Sequence, residues 1–328
     1  MATYRENMGM KGSGETATVL DKTPTNSPRR TTGSPWLRAI TLVLLVIAVS
    51  LEGGQCVRWF QFQLTGRVTT LGNTYYLQAR DRVITPEIIA SGAWEKNQTE
   101  ELREILHPGD TFIDVGADFG WYTVIGAKIV GPTGRVIAFE PAPQNLEFLR
   151  RNVTANQCAN VKIEPLALSN KSGKLAFHLS RDNLGDHSML AAPDRPDAIE
   201  VQATTLDEYL RNDTGKIALI KIDTQGAEGF ILDGMREVLK KHPETIIFLE
   251  FTPNALRQCG YNPEAILRNF HEQGYEIRFI HNDPGSLLTG PPRERTVTIP
   301  ESAFATLAKS IEQDESYANL VIRKRPER

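Results

Sequence analysis

The residues best placed for chemistry form the segment Asp114–Gly120 (DVGADFG), which overlaps the end of the apolar stretch Thr111–Val115. A short apolar stretch of this kind predicts a buried strand. The glycines Gly116 and Gly120 would let the backbone approach a ligand closely, where a Cβ atom would collide. Glu140 ends the next apolar stretch, and an acid there can accept hydrogen bonds from both hydroxyls of a ribose. The pattern of strand, turn, helix and acid-ended strand predicts a nucleoside-binding site.

The glycine spacing distinguishes between two kinds of nucleoside ligand. A dinucleotide site has the pattern G-x-G-x-x-G, whereas this chain has G-x-x-x-G, with Asp118 where a second glycine would meet the pyrophosphate. A carboxylate there would repel phosphates, and it would attract the ammonium group of S-adenosylmethionine, which carries no phosphate. The spacing therefore opposes an NAD-dependent oxidoreductase and favours a methyl donor.

Five short motifs, in order along the chain, resemble those of the FkbM family of S-adenosylmethionine-dependent methyltransferases. They are DVGADFGWYT at 114–123, FEP at 139–141, ALS at 167–169, IDTQGAE at 222–228 and EF at 250–251. Two positions depart from the family pattern, because Asp118 replaces a usual Asn and Gln225 replaces a usual Glu. The second departure removes a possible acid from the rim of the site.

The resemblance implies a class I methyltransferase fold, which is a Rossmann-like α/β fold with a doubly wound, mostly parallel sheet. It also implies S-adenosylmethionine as cofactor and methyl transfer, typically to a hydroxyl oxygen of a saccharide, a lipid-linked glycan or a secondary metabolite. Asp223, Gly226 and Glu228 would lie where the methyl donor meets the acceptor. The residues that would contact the cofactor are Asp114, Gly116, Ala117, Asp118 and Gly120 at the methionine end, Glu140 at the ribose, Ala167 and Leu168 at the adenine, and Asp223.

An alcohol is a poor nucleophile, so a base that takes its proton during transfer would speed the reaction. The candidates for this catalytic base are Asp223, which ends an apolar strand, Glu228, which begins the following helix, and His187, in the polar loop 182–188. Helix capping or ion pairing could equally explain the two carboxylates, and solvation the histidine. The sequence leaves the choice open. No cluster has the spacing of metal ligands, so no metal is expected.

Apolar stretches alternate with amphipathic ones from residue 111 onward, which is typical of a parallel sheet covered on both faces by helices. The predicted strands are 111–115, 135–140, 160–168, 173–179, 199–204, 217–223, 245–251, 275–280 and 318–323. The predicted helices are 95–106, 119–130, 144–155, 206–211, 227–241 and 263–272. Further short strands are predicted at 57–62 and 74–78. Ligands of open α/β sheets bind at the carboxyl ends of the strands, where the motifs fall.

The chain before the methyltransferase domain at 111–328 divides into three predicted segments. Residues 1–35 are rich in Ser, Thr, Gly and Pro and are expected to be disordered. Residues 36–54 contain the uncharged run Ala39–Leu51, which could be a single-pass membrane anchor, a cleaved signal peptide or a buried helix. Residues 55–110 form a preamble to the domain. An anchor at 36–51 would associate the protein with a membrane, but the preceding cations then predict an exported domain, away from a cytosolic cofactor supply. Membrane-associated and cytoplasmic locations both stay open.

The composition excludes several classes of protein. Lys and Arg number 37 against 40 Asp and Glu, so no nucleic-acid partner is expected. The 3 cysteines are far apart and include no C-x-x-C pair, which excludes a disulfide-stapled scaffold and gives no zinc-site spacing. The expected partner is a small-molecule or glycan hydroxyl acceptor, and the oligomeric state is left open. The alternative function is a non-catalytic scaffold or trafficking protein that keeps the fold.

Overall fold

The computed structural model describes residues 53–181, 183–213, 215–281, 295–310 and 317–325. The predicted disordered segment 1–35 and the apolar run Ala39–Leu51 lie outside these residues. Within the described ranges, each helix is too short or too polar to cross a bilayer.

The strands of the described residues form one large sheet and two small ones. In chain order they are β1 (Arg67–Thr70), β2 (Asn73–Tyr76), β3 (Thr111–Val115), β4 (Arg135–Phe139), β5 (Val161–Glu164), β6 (Ala167–Leu168), β7 (Gly173–Leu179), β8 (Asp197–Thr204), β9 (Leu219–Ile222), β10 (Ile246–Phe251), β11 (Tyr275–Ile280), β12 (Thr296–Thr298) and β13 (Ala318–Lys324). The large sheet has the order β12–β11–β13–β10–β9–β3–β4–β5. The strands from β10 to β5 are parallel, and β13 runs antiparallel to both of its neighbours. The predicted α/β class with a mostly parallel sheet is confirmed.

Helices connect most of these strands. In chain order they are α1 (Gly53–Thr65), α2 (Ile84–Ser91), α3 (Lys96–Ile105), α4 (Trp121–Val130), α5 (Pro143–Ala155), α6 (Leu206–Tyr209), α7 (Glu228–Asp233), α8 (Arg236–Lys241), α9 (Pro253–Gln258), α10 (Pro263–Glu272) and α11 (Phe304–Ser310), with a 3₁₀-helix at Glu301–Ala303. The small sheets are the hairpin β1–β2 and the three strands β6–β8–β7.

The large sheet is buried on both faces because alternate residues of each strand point to opposite sides. Phe112 and Val136 belong to one apolar cluster, which includes residues of α3 and α4. Ile113 and Ile137 belong to a second cluster, which includes residues of α7 and α10. All of β3 is buried. A parallel strand in this position must be apolar on both faces, which is why the sequence predicts these strands closely.

The stretch 57–62, predicted as a strand, lies within α1, so this prediction was wrong. Aromatic and β-branched residues favour strands, but tertiary contacts override that preference. The Arg58 side chain donates hydrogen bonds of 2.8 Å each to the carbonyl oxygens of Ile89 and Ala90, at the end of α2. Phe62 is buried. Both contacts require Arg58 and Phe62 on one side, as the four-residue spacing of a helix places them.

Two other predicted elements are each divided in the structure. The predicted strand 160–168 is interrupted at Pro165, which has no N–H for a strand ladder, so β5 joins the large sheet and β6 a small one. The predicted helix 227–241 is interrupted at Gly234. A Cβ atom there would lie 2.1 Å from the carbonyl oxygen of Ser169, so the chain passes too close to its neighbour for a regular helix with side chains.

Candidate functional site

A cleft opens at the carboxyl ends of β3, β4, β9 and β10, where the sequence predicts a ligand. Residues between β7 and β8 and residues just before α3 complete its walls. The predicted site residues that line the cleft are Gly116, Ala117, Asp118, Glu140, Ala167, Leu168, His187 and Asp223. Those that the structure places outside the lining are Asp114, Gly120, Gly226 and Glu228.

The turn after β3 requires glycine at residue 116. Gly116 has φ +77°, and a Cβ atom there would lie 1.8 Å from the carbonyl oxygen of Asp223. The N–H groups of Gly116 and Ala117 both donate to the carbonyl oxygen of Phe139, at 3.0 Å each. The loops after β3, β4 and β9 are therefore in direct backbone contact, and a side chain at residue 116 would separate them.

Asp114 and Gly120 shape this turn without lining the cleft. The Asp114 Oδ2 accepts a hydrogen bond of 2.5 Å from the Thr123 hydroxyl, and burial raises the pKa of Asp114 to about 6. Gly120 has φ +93°, and a Cβ atom there would lie 2.6 Å from Leu149. Both residues therefore fix the path from β3 into α4. The Asp114 Oδ1 is buried without a hydrogen-bond partner among the described residues, and contact of either residue with the methionine end of a cofactor stays a prediction.

Glu140 is held firmly at the end of β4. Its Oε2 accepts the N–H of Asp118 and its Oε1 accepts the N–H of Ala142, each at 2.8 Å. Burial raises the pKa of Glu140 to about 7. Each carboxylate oxygen keeps a further lone pair for another donor. The geometry therefore suits a pair of ribose hydroxyls.

Asp118 carries an unsatisfied oxygen in the cleft. Its Oδ1 is buried and has no hydrogen-bond partner among the described residues. Burial, with repulsion from Glu140 added, raises the pKa of Asp118 well above its usual range. A cationic ligand group would supply the missing partner and stabilise the ionised carboxylate.

The opposite wall of the cleft is mainly apolar. Its side chains are those of Phe139, Leu166, Ala167, Leu168, Phe177 and Met189. A wall of this kind suits the flat, largely apolar faces of an adenine ring.

His187 lies in this wall as a neutral hydrogen-bond donor. Its Nδ1 accepts the N–H of Ser180 at 3.0 Å, which leaves the ring proton on Nε2. That Nε2 is buried and has no partner among the described residues. Burial lowers the pKa of His187 to about 4. The prediction of His187 as the base is therefore corrected, because neither ring nitrogen has a free lone pair.

Charged side chains converge where β9 and β10 end. The Nζ of Lys221 lies 2.7 Å from Oδ2 of Asp223 and 4.7 Å from the ring centroid of Tyr122. The Nε2 of Gln225 donates to Glu250 at 2.7 Å and to Asp223 at 3.3 Å. The family's usual Glu at residue 225 would add a third carboxylate here. The glutamine instead connects the two that are present.

Glu95 is a candidate that the sequence analysis missed. It precedes α3 with φ +42°, an uncommon conformation for a residue with a side chain, and it lines the cleft. Its carboxylate accepts hydrogen bonds from the Tyr122 hydroxyl at 2.8 Å and from the Gln98 amide at 2.9 Å. Burial, with repulsion from Asp223 added, raises the pKa of Glu95 to about 7. No motif marks this residue, because it reaches the cleft only through tertiary packing.

Glu228 is buried below the loop that follows β9. Its Oε1 accepts the N–H of Gly226 at 2.9 Å and the Thr224 hydroxyl at 3.1 Å. Burial raises the pKa of Glu228 to about 7. The prediction of Glu228 as the base is corrected to a positioning role, since its carboxylate holds the loop and does not line the cleft.

Residues 114–277, half of the chain, match the FkbM methyltransferase domain, and the chain belongs to this family. Methyltransferase sdnD of Sordaria araneosa is 26% identical over 203 residues, which are 52% of this chain and 75% of that protein. A protein-L-isoaspartate O-methyltransferase of Triticum aestivum is 34% identical over 86 residues, 26% of this chain, and the match spans only 34% of the wheat protein. The crystal structure of methyltransferase FkbM from Methylobacillus flagellatus KT has a TM-score of 0.39 at 14% identity, covering 72% of this chain and 52% of that one.

S-adenosylmethionine is the cofactor that the cleft fits. The methionine ammonium group would be a partner for the buried Oδ1 of Asp118, which has no hydrogen-bond partner among the described residues. Glu140 offers two fixed acceptor oxygens for a ribose. Because Gly116 has no side chain, the loops after β3, β4 and β9 stay in close contact beside Asp118 and Glu140.

Proposed function

We propose that this protein is an S-adenosylmethionine-dependent O-methyltransferase whose acceptor is a hydroxyl group of a saccharide, a lipid-linked glycan or another metabolite. The observation that carries the proposal is the Glu95 carboxylate, which lies in the cofactor cleft with a pKa raised to about 7. A base of that strength is matched to take a proton from a hydroxyl group near neutral pH. Membership of the FkbM family supports methyl transfer as the reaction class.

The cofactor would be held by residues from three strand ends. Glu140 would accept hydrogen bonds from the ribose, Asp118 would pair with the ammonium group, and Ala167 and Leu168 would contact the adenine. When bound, S-adenosylmethionine supplies a methyl group activated on a sulfonium. The main task of the surrounding residues is therefore to align donor and acceptor, which can contribute roughly 7–11 kcal/mol.

Among the carboxylates of the cleft, we assign Glu95 as the base and Asp223 as a residue that orients the acceptor. Asp223 is already engaged, since its Oδ2 is paired with Lys221 at 2.7 Å and its Oδ1 accepts a hydrogen bond from Gln225 at 3.3 Å. Burial, with repulsion from Asp223 added, raises the pKa of Glu250 well above its usual range, and its Oε2 accepts a hydrogen bond from Gln225. The acceptor proton would pass to a lone pair of Glu95 that its hydrogen bonds from Tyr122 and Gln98 leave free.

The experiment combines a binding and a turnover measurement on the full chain. Calorimetric titration should show micromolar binding of S-adenosylmethionine and of its demethylated product, and no binding of NAD. Glu140→Ala should abolish both interactions, whereas Glu147→Ala, at an exposed position of α5, should leave them unchanged. Methyl transfer should then be detected with at least one compound of a panel of saccharides and small alcohols.

Each part of the proposal can fail separately. If neither methyl compound binds, the cofactor assignment is overturned. If both bind but only amine acceptors are methylated, the O-methyltransferase assignment is wrong. Binding without turnover on any acceptor would favour the non-catalytic scaffold.

A further inference from the structure

Helix α1 presents an apolar stripe to solvent. Val57, Phe60 and Leu64 are 57%, 60% and 81% exposed. With about 3.6 residues per turn, their spacing of three and four residues places them within roughly 60° of one another on the helix surface. The other exposed large apolar residues outside α1, among those the structure describes, occur singly along the chain. A continuous stripe of this kind marks an interaction surface.

The opposite side of α1 is fixed to the protein. Phe62 is 8% exposed and packs into the apolar cluster beneath the helix. Arg58 donates to the carbonyl oxygens of Ile89 and Ala90 at 2.8 Å each. These contacts set the rotation of the helix about its axis, so the stripe faces outward as a consequence of the fold.

The outward face of α1 carries no charge. Arg58 is the only Asp, Glu, Lys or Arg between residues 53 and 65, and its guanidinium group is directed to backbone carbonyls of α2. Protein interfaces usually place charged groups around an apolar centre, and this face has none to offer. Trp59 is 48% exposed beside the stripe, and tryptophan is enriched where membranes meet water.

We propose that the stripe of Val57, Phe60 and Leu64 lies on a lipid bilayer, with α1 along the membrane surface. The sequence that immediately precedes α1 supports a lipid as the occupant. The run Ala39–Leu51 is without charge, and Arg29, Arg30 and Arg38 come before it, where they would attract anionic headgroups. A fixed apolar helix face next to such a run combines hydrophobic and electrostatic attraction to a membrane. This inference is independent of the proposed methyl transfer.

The test uses the full chain and vesicles of phosphatidylcholine mixed with phosphatidylserine. A nitroxide spin label is attached to Cys56, which is exposed on α1 near the stripe, in a Cys259→Ser background. The remaining thiol, Cys158, is buried. On addition of vesicles, collisions of the label with lipid-soluble oxygen should increase, and collisions with a water-soluble nickel complex should decrease. In the control, the label is attached to Val297→Cys on the exposed strand β12, and Cys56 is replaced by Ser in the same background. This label should show neither change.

Substitution of the stripe gives a second measurement. The triple variant V57Q/F60Q/L64Q should weaken sedimentation with vesicles by about tenfold or more, because the buried apolar area on the membrane is lost. The control variant L71Q/V297Q removes two apolar residues that are also exposed, at 41% and 44%, and should sediment like the wild type.

Three results would overturn the inference. In the first, the protein does not sediment with the vesicles. In the second, the protein sediments but the label on Cys56 stays exposed to water, which would mean that another segment binds the lipid. In the third, the label is shielded without vesicles and the molecular mass is doubled, which would mean that a second copy of the chain covers the stripe.

Discussion

The side-chain nitrogen of Lys221 lies 2.7 Å from Oδ2 of Asp223, two residues further along the same strand end. Lys221 is 3% exposed, and the carboxylates of Asp223, Asp114 and Glu95 all favour its charged form. One buried cation thus balances acids that come from β9, from β3 and from the segment before α3. The charges of the cleft are therefore a single coupled group, and a change to Lys221 should affect them all.

Replacing Lys221 by Met should destabilise the protein by about 3–5 kcal/mol, because it leaves buried carboxylates without a counter-charge. The pKa of Glu95 should also rise further, since Lys221 lowers it. Urea denaturation measures the loss. Lys174→Met, at an exposed ion pair with Glu200, is the control and should cost no more than about 1 kcal/mol. Equal losses for the two variants would contradict the central role of Lys221.

Glu95→Gln should lower kcat by about 10²–10⁴-fold with little change in cofactor affinity. The amide cannot take a proton, but its oxygen can still accept the hydrogen bond from Tyr122. The wild-type rate should rise with pH through about 7, where burial and Asp223 place the pKa of Glu95, and the variant should lose this rise. Steady-state kinetics across that pH range, with Glu100→Gln in the following helix α3 as control, check the prediction. If the variant keeps the wild-type rate and profile, the base is another residue.

Gly116→Ala should abolish cofactor binding, whereas Gly131→Ala should not. Both glycines have positive φ, at +77° and +66°, but a Cβ atom at residue 116 would meet the Asp223 carbonyl oxygen at 1.8 Å, and one at residue 131 would meet nothing within 4 Å. Gly131→Ala should therefore cost only the backbone strain, about 1–3 kcal/mol for φ +66° with ψ −170°. Thermal denaturation and calorimetric titration compare the pair. Similar behaviour of the two variants would mean that strain, and not the contact with Asp223, decides the outcome.

Glu228→Gln should make stability less dependent on pH. Burial raises the pKa of Glu228 from 4.5 to about 7, so the folded protein binds more protons than the unfolded chain between those values. The stabilisation from this group is full below about pH 4.5 and is lost as the pH rises through about 7. The glutamine oxygen can still accept the Gly226 N–H, so the variant should avoid that loss. The free energy of unfolding is measured in urea below pH 4.5 and above pH 7, with Glu237→Gln as an exposed control. An equal decline of this free energy in the wild type and in Glu228→Gln would refute the prediction.

His187→Asn should weaken ligand binding while leaving the fold intact. The asparagine oxygen can replace Nδ1 as the acceptor for Ser180, but the side chain is too short to place a donor where Nε2 lies. Loss of one hydrogen bond should reduce the affinity for cofactor or acceptor by about tenfold. Calorimetry and acceptor KM measure the effect, with His178→Asn as control. Unchanged values for both ligands would show that Nε2 has no ligand partner.

The cofactor half of the cleft could be predicted from the sequence because its determinants are local. The predicted bounds of β3, α10 and β11 match the structure residue for residue. The turn at Gly116 and the acid Glu140 follow their strands directly, so the spacing along the chain places them at one edge of the sheet. Chemistry that depends on adjacent elements can be inferred from such spacing.

The acceptor half could not be predicted in the same way, because its residues meet only through packing. Glu95 comes from the preamble, its hydrogen-bond partner Tyr122 from α4, and Lys221, which lies over the Tyr122 ring, from β9. Asp223 and Glu228 flank the same short loop, and whether each carboxylate points into the cleft or beneath the loop depends on the chain reversal at Gly226, with φ +113°. The spacing of residues along the sequence does not indicate which way each of these two side chains points.

The position of β13 has a consequence for how the protein is made. This strand lies between β10 and β11, which the ribosome synthesises first and which do not pair with each other. Until β13 emerges, β10 presents an open edge next to Glu250, and β11 and β12 have no place in the large sheet. An unpaired parallel edge of this kind is prone to join other chains. The nascent protein should therefore need chaperones until β13 pairs with β10, the strand that carries Glu250 into the cleft.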